Sequence, residues 1–179
     1  MIDINSQEYW NRLLEQEGQG LIDININNEL ANVKNNVDLI IEDIDDISSD
    51  IEVIENEGLL KFYLDNTLIG IIEYSKTNNG EIYIDMVGNI NADLEDFDKY
   101  DFKERYDFEK NNIKIKGLIF HMYKVFFNIL KNQGYNLAFG VIENENLYYV
   151  NDELVNRKII KNSYTRINKN NIEELVREF

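Results

Sequence analysis

The chain has no cysteine and no proline, one histidine, and nine glycines in 179 residues. Without cysteine there are no disulfides, no thiolate catalysis and no Cys-based metal site. A single histidine leaves no ligand set for a structural zinc, so no metal is expected. Bases are scarce too: 18 Lys+Arg stand against 34 Asp+Glu, for a formal net charge of −16. Such a field repels nucleic acid and attracts basic molecules, so direct nucleic-acid binding is not expected. No apolar run approaches the ~18 residues of a membrane span. The opening "MIDINSQEYW" has neither the basic nor the apolar region of a secretory signal. A cytoplasmic location without membrane attachment is the expectation. Missing proline together with heavy use of Asn and Ile reads as AT-rich coding, typical of low-GC bacteria and their phages.

What is present is enough for a core. Hydrophobic residues make up 44% and aromatics 12% of the chain, which argues against disorder. The length predicts one domain over 1–179. The charge is uneven: residues 1–109 carry 7 bases and 27 acids, whereas 110–179 carry 11 bases and 7 acids. Acids concentrate in "DLIIEDIDDISSDIEVIEN" (38–56) and "DLEDFDKYDFKERYDFE" (93–109). Each is either a solvated face or a surface for a basic partner.

Periodicity predicts the elements. "SQEYWNRLLEQE" (6–17) reads as a helix capped by Ser6, and "LIDININ" (21–27) as a short strand. Leu30, Val33, Val37, Ile40, Ile44 and Ile47 step by three and four, predicting a helix over 28–48. "GLLKFYL" (58–64), "TLIGIIEYS" (67–75) and "EIYIDMVG" (81–88) read as a meander, with Asp65-Asn66 marking a tight hairpin. Residues 89–112 form an acidic insertion that reads as a short helix plus loop, or a lid. In the helix predicted over 116–132, Gly117, His121, Lys124, Asn128 and Lys131 form one narrow polar stripe and the rest is apolar. Gly134 ends it. "YNLAFGVI" (135–142) reads as an interior strand. A helix over 144–156, a strand over 157–167 and a helix over 170–179 complete the chain. The fold class is α/β (α+β): a mixed, mostly antiparallel central sheet flanked by helices.

This order, with "KIKGLI" (114–119) before a helix and "GYNLAFGVIENEN" after it, resembles the GNAT superfamily of acetyl-CoA-dependent N-acetyltransferases over about 58–166. In that family a loop of the form Gln/Arg-x-x-Gly-x-Gly/Ala holds the pyrophosphate of coenzyme A at a helix N-terminus, where backbone amides and the helix dipole favour an anion. The resemblance implies a GNAT-like fold, acetyl-CoA as cofactor, and cofactor contacts from Lys114, Lys116, Gly117, Leu118, Ile119 and Asn144. It implies a strand carboxylate, Asp85 or Glu73, as proton acceptor and Tyr149 as general acid. Two motif positions depart from the family: Lys114 stands where Gln or Arg is usual, and Ile119 brings a Cβ where a small residue is usual. His121, on the polar stripe, reads as a solvated helix residue.

Two functions are compatible with these residues. One is a divergent acetyltransferase acting on an amine of a basic small molecule or basic protein. The other is a catalytically inactive acidic binding protein on the same scaffold: a phage anti-defence inhibitor, a DNA mimic or an immunity-type partner.

Overall fold

The computed structural model describes residues 40–91, 102–106, 108, 113–141 and 147–179. The predicted elements over 6–17 and 21–27, and the start of that over 28–48, lie outside these residues.

The chain enters as β1 (Ile40–Asp43), continues through a short helix α1 (Ile44–Ile47) and a 3-10 turn, and forms β2 (Ile51–Asn56), β3 (Leu59–Leu64), β4 (Thr67–Lys76) and β5 (Ile82–Asn89). A short helix α2 (Phe102–Tyr106) lies in the insertion, and β6 (Ile113–Lys116) follows. Then come the long helix α3 (Leu118–Asn132), β7 (Leu137–Val141), α4 (Leu147–Asn156), β8 (Asn162–Ile167) and β9 (Glu173–Glu178). Seven strands make one sheet in the order β2-β3-β4-β5-β7-β9-β8, and β1 pairs with β6 in a separate parallel ribbon. All contacts within the large sheet are antiparallel except that between β5 and β7. This is the mixed, mostly antiparallel sheet expected, with a meander, a crossover helix and a returning strand in that order.

Strands replace part of one predicted helix, at 40–43 within 28–48, and most of another, at 173–178 within 170–179. Ile40–Asp43 pairs with Ile113–Lys116, so the place of Ile40 in a helical stripe was a coincidence of spacing; among the described residues of that stripe the helical stretch is Ile44–Ile47, capped by Asp43 through the amide of Asp45 at 3.1 Å. The C-terminal "EELVRE" is β9, inserted between β7 and β8. Its helix-forming residues misled because an interior strand buried on both faces has no alternation to read. Glu174, Leu175, Val176 and Arg177 are all buried.

The sheet is clasped by α3. Its buried face comprises Leu118, Ile119, Phe120, Met122, Tyr123, Phe126, Phe127 and Leu130, leaving the predicted stripe outward. Phe126 packs on Tyr74 of β4 with ring centroids 5.1 Å apart, and Phe127 packs on Phe179, just beyond β9, at 4.7 Å. One helix therefore bridges both halves of the sheet. Each fully buried side chain of this size contributes roughly 1.5–3 kcal/mol.

The start of α3 is tied to the end of β5 by one residue. Asn91, fully buried, accepts the Ile115 amide on Oδ1 at 2.9 Å and donates Nδ2 to the Ile115 carbonyl at 2.8 Å. Its side chain thus pairs with β6 as one residue of a strand would. Asn91→Ala would strand both groups in the interior and should cost about 3 kcal/mol, since each buried unpaired group costs about 1–3 kcal/mol. Urea unfolding tests this as a fall in midpoint at unchanged slope. A loss below about 0.5 kcal/mol would show that the tie is dispensable.

Candidate active site: a fork in the sheet

β5 and β7 pair at only two positions, Ile82–Ala138 and Tyr83–Phe139. Beyond them each strand continues on its outer neighbour alone, β5 with β4 as far as Asn89 and β7 with β9 as far as Val141. The split coincides with a bulge. Tyr74 pairs with Ile84 and Glu73 with Met86, so Asp85 is an extra residue in β5. A bulge bends its strand and sharpens its twist, which turns β5 away from β7. From Ile84 onward the β7-facing edge of β5 is not engaged by β7.

The acids predicted as proton acceptors meet here. Asp85 is exposed and accepts the Ser75 hydroxyl at 3.3 Å. Burial of its carboxyl and the nearby Glu73 charge outweigh the Ser75 hydrogen bond and hold Asp85 above the ordinary carboxylate range. Glu73 is tied down: Arg105 reaches its two oxygens at 3.0 and 3.3 Å, and the Tyr106 hydroxyl donates to it at 2.5 Å. Burial and that bond raise the Tyr106 hydroxyl well above its usual pKa. Glu73 therefore positions α2 against the sheet, and Asp85 is left with the Ser75 hydroxyl as a side-chain partner.

A second cluster, which the sequence reading missed, brackets the fork. Glu174, 1% exposed, accepts Tyr83 Oη, Asn168 Nδ2 at 2.6 Å and Arg166 Nε at 2.9 Å. The Arg166 guanidinium lies 3.7 Å from the Phe139 ring centroid and reaches Glu81 at 3.4 Å. Burial pushes the Glu174 carboxyl up, but the bonds from Tyr83, Asn168 and Arg166 outweigh it and leave Glu174 below the ordinary range. Tyr83 and Phe139 are the last paired residues before the split, so this cluster fixes its vertex. With 170–179 read as a helix, Glu174 could not be placed opposite Arg166.

On the helix-covered face, Arg177 is 3% exposed and donates to Asn151 at 2.7 Å and to the Tyr123 hydroxyl at 3.4 Å. A Cβ on Gly140 would stand 3.4 Å from Arg177 Nη1 and 3.6 Å from the Ile84 carbonyl oxygen. The missing side chain of Gly140 thus leaves a gap one residue past the vertex, bordered by a guanidinium.

The start of α3 departs from a bare phosphate loop. Lys114 is not a solvated lysine: it is 8% exposed and donates Nζ to the Asn91 carbonyl at 3.1 Å. Lys116 is half-buried in β6, in register with Asp43. Gly117 has φ +75°, and a Cβ there would also stand 2.7 Å from Ile44 Cγ2, so both backbone and packing require glycine. The Ile115 amide is held by Asn91, and the Gly117 carbonyl accepts the amides of Phe120 and His121. That leaves Leu118 and Ile119 to present amides at the helix start. Ile119 does not stand over them, because its side chain is fully buried in the core. His121 is half-buried, and burial followed by the Lys124 charge pushes its imidazole down. Asn144 and the Tyr149 side chain lie outside the described residues. Among the described residues no three acids or histidines gather to hold a metal ion, and no helix is long and apolar enough to cross a membrane.

No known family profile matches the chain, and no curated protein matches it. Solved structures with a similar arrangement include a Bacillus subtilis acetyltransferase in complex with CoA (9% identity, 76% of this chain and 82% of that one, TM-score 0.38). They also include the PaiA N-acetyltransferase from Thermoplasma acidophilum in complex with coenzyme A (14% identity, 99% and 96%, TM-score 0.36). A third is the NatC complex bound to Gag peptide and CoA (11% identity, 99% and 95%, TM-score 0.33). At these scores the fold assignment rests on strand order and pairing.

Because the folded pKa of Glu174 is lowered, its stabilisation is present above the ordinary carboxylate value of about 4.3. It is lost as pH falls through the lowered value. Glu174→Gln should cost about 3 kcal/mol at neutral pH by leaving Arg166 without its buried partner. It should also flatten the loss of stability below about pH 4 seen for the parent chain. Parallel acid-unfolding curves for the two proteins would disprove the assignment.

Proposed function

We propose that this chain is a divergent N-acetyltransferase that takes an acetyl group from acetyl-CoA and places it on an amine of a basic substrate. The observation that carries this reading is the fork: two strands that part at a bulge, with an exposed carboxylate, Asp85, on the extra residue. An unpaired strand edge inside a sheet suits an extended, amide-bearing ligand such as the pantetheine arm, which hydrogen-bonds as a peptide does. The β5 edge beyond Ile84 would hold that arm, with Arg177 Nη1 beside it. The Leu118 and Ile119 amides and the dipole of α3 would take the diphosphate. Ile44, packed over Gly117, limits the space there.

Acetyl-CoA supplies an acyl group activated as a thioester. The chain's own part is to bind, orient and move a proton. The many exposed carboxylates of 42–57 draw in a cationic amine. An amine arriving as ammonium must lose a proton before it attacks the thioester carbonyl. Asp85, with its pKa raised, is the acceptor, directly or through one water. The attacking nitrogen forms the C–N bond as the C–S bond breaks, and the thiolate takes up a proton on leaving. Arg105 and Tyr106 keep Glu73 from competing for the ammonium.

A second reading is favoured by one contact. Ile44 fills the space over Gly117, and Asp43, Asp45 and Asp46 stand exposed on the same strap. A scaffold whose phosphate seat is covered by an acidic segment suits an inactive binding protein that presents carboxylates to a basic cleft.

Calorimetry separates the two. The acetyltransferase reading requires saturable 1:1 binding of CoA and acetyl-CoA. It further requires that Asp85→Asn lower kcat/KM by about 10²–10⁴-fold, the usual range for a lost proton acceptor, with CoA affinity retained. No heat and no thermal stabilisation at millimolar CoA would refute it.

A further inference from the structure

At the opposite end of α3 lies a pocket of about 360 Å³. It is lined by Lys131 from the last turn of α3, Lys158 and Lys161 from the segment after α4, and the apolar side chains of Val155, Ile160 and Phe179. Its volume falls within the roughly 300–1,000 Å³ range of small-molecule sites. The fifteen residues of α3 put it about 20 Å from Gly117, at 1.5 Å rise per residue. It is therefore separate from the seat at the helix start.

Three features mark it. Acids outnumber bases 34 to 18 in this chain, yet none of these three exposed ammoniums makes an ion pair with any carboxylate of the described residues. The floor is apolar: Ile160 and Phe179 are 3% and 4% exposed. The third feature is a backbone one. α3 and α4 end in the same motif. After α3, Tyr135 N donates to Leu130 O and Gly134 N to Lys131 O, with Gly134 at φ +89°. After α4, Ile159 N donates to Leu154 O and Lys158 N to Val155 O, but the left-handed position is Lys158, at φ +58°. Glycine takes this place at no steric cost. A lysine there bears backbone strain and gains a place on the pocket wall. Strain kept at one of two equivalent turns, where a charged side chain meets a cavity, points to a ligand.

We infer that this pocket binds a small organic anion with a compact apolar group, its charge among Lys131, Lys158 and Lys161 and its apolar part on Ile160 and Phe179. This holds whether or not the fork carries acyl-CoA.

Phenyl phosphate is the probe, with inorganic phosphate and phenol as its separate halves. Calorimetry on the intact chain should show one saturable site for phenyl phosphate, at least tenfold tighter than for either half and unchanged by saturating CoA. Lys158→Gly should weaken it about tenfold, a typical loss for one charge-assisted hydrogen bond, while raising Tm by removing the strain. Lys131→Ala should weaken it similarly with little change in Tm. Equal binding by Lys158→Gly, by phenol alone or by inorganic phosphate alone would overturn the proposal. So would competition by CoA or no saturable binding by the folded parent. In those cases the lysines serve only to balance the carbonyl ends of α3 and α4.

Discussion

Seven strands hold together through two rungs. The meander β2–β5 and the trio β7-β9-β8 are each stitched by long antiparallel ladders, and they meet only at Ile82–Ala138 and Tyr83–Phe139. So short a parallel contact cannot align two sheets unaided. It is reinforced from both faces. On one, α3 lays Phe126 on the meander and Phe127 on the end of the trio, and Arg177 joins α3 to α4 through Tyr123 and Asn151. On the other, Tyr83 in β5 donates to Glu174 in β9, which Arg166 in β8 also holds. The fork exists because the join is narrow and yet firmly held.

The same geometry distributes chemical roles. Glu73 and Asp85 are neighbours across one bulge, and their partners set them apart. A guanidinium and a phenol hold the Glu73 carboxyl in place, whereas Asp85 has the Ser75 hydroxyl, at a long 3.3 Å. The three buried or half-buried charged residues around the vertex, Glu174, Arg166 and Arg177, are each hydrogen-bonded. They are compatible with the interior on that account.

Much of the architecture was legible because apolar spacing reports burial. The stripe at 117, 121, 124, 128 and 131 marked the outward side of α3, and the alternation in 58–88 marked the meander. Where an element is buried on both sides, the signal vanishes. β9 reads as a helix because Glu173, Glu174, Arg177 and Glu178 are helix formers, and only its neighbours make it a strand. β1 was absorbed into the helix predicted over 28–48, because Ile40 falls in step with Ile44 and Ile47, and β2, with no turn signal before it, was not read as an element. The site was partly legible. Asp85 and Glu73 stood out as acids in an apolar meander, but no spacing reveals that a bulge falls between them. Lys114 was placed among the cofactor contacts by the resemblance of "KIKGLI" to a phosphate loop, a match of residue order that says nothing of burial. Its burial depends on Asn91, 23 residues earlier, which no local pattern marks.

The narrow join also orders assembly. Turns of two residues connect β2 to β3 and β3 to β4, and a local hairpin makes β8–β9, so each half of the sheet closes through short loops of low entropic cost. The two rungs between β5 and β7 require residues more than 50 positions apart, with the insertion and all of α3 between them. Non-local parallel contacts of this kind are favoured only once both sides are in place. By this argument the join between β5 and β7 is expected to close after the two halves that it links.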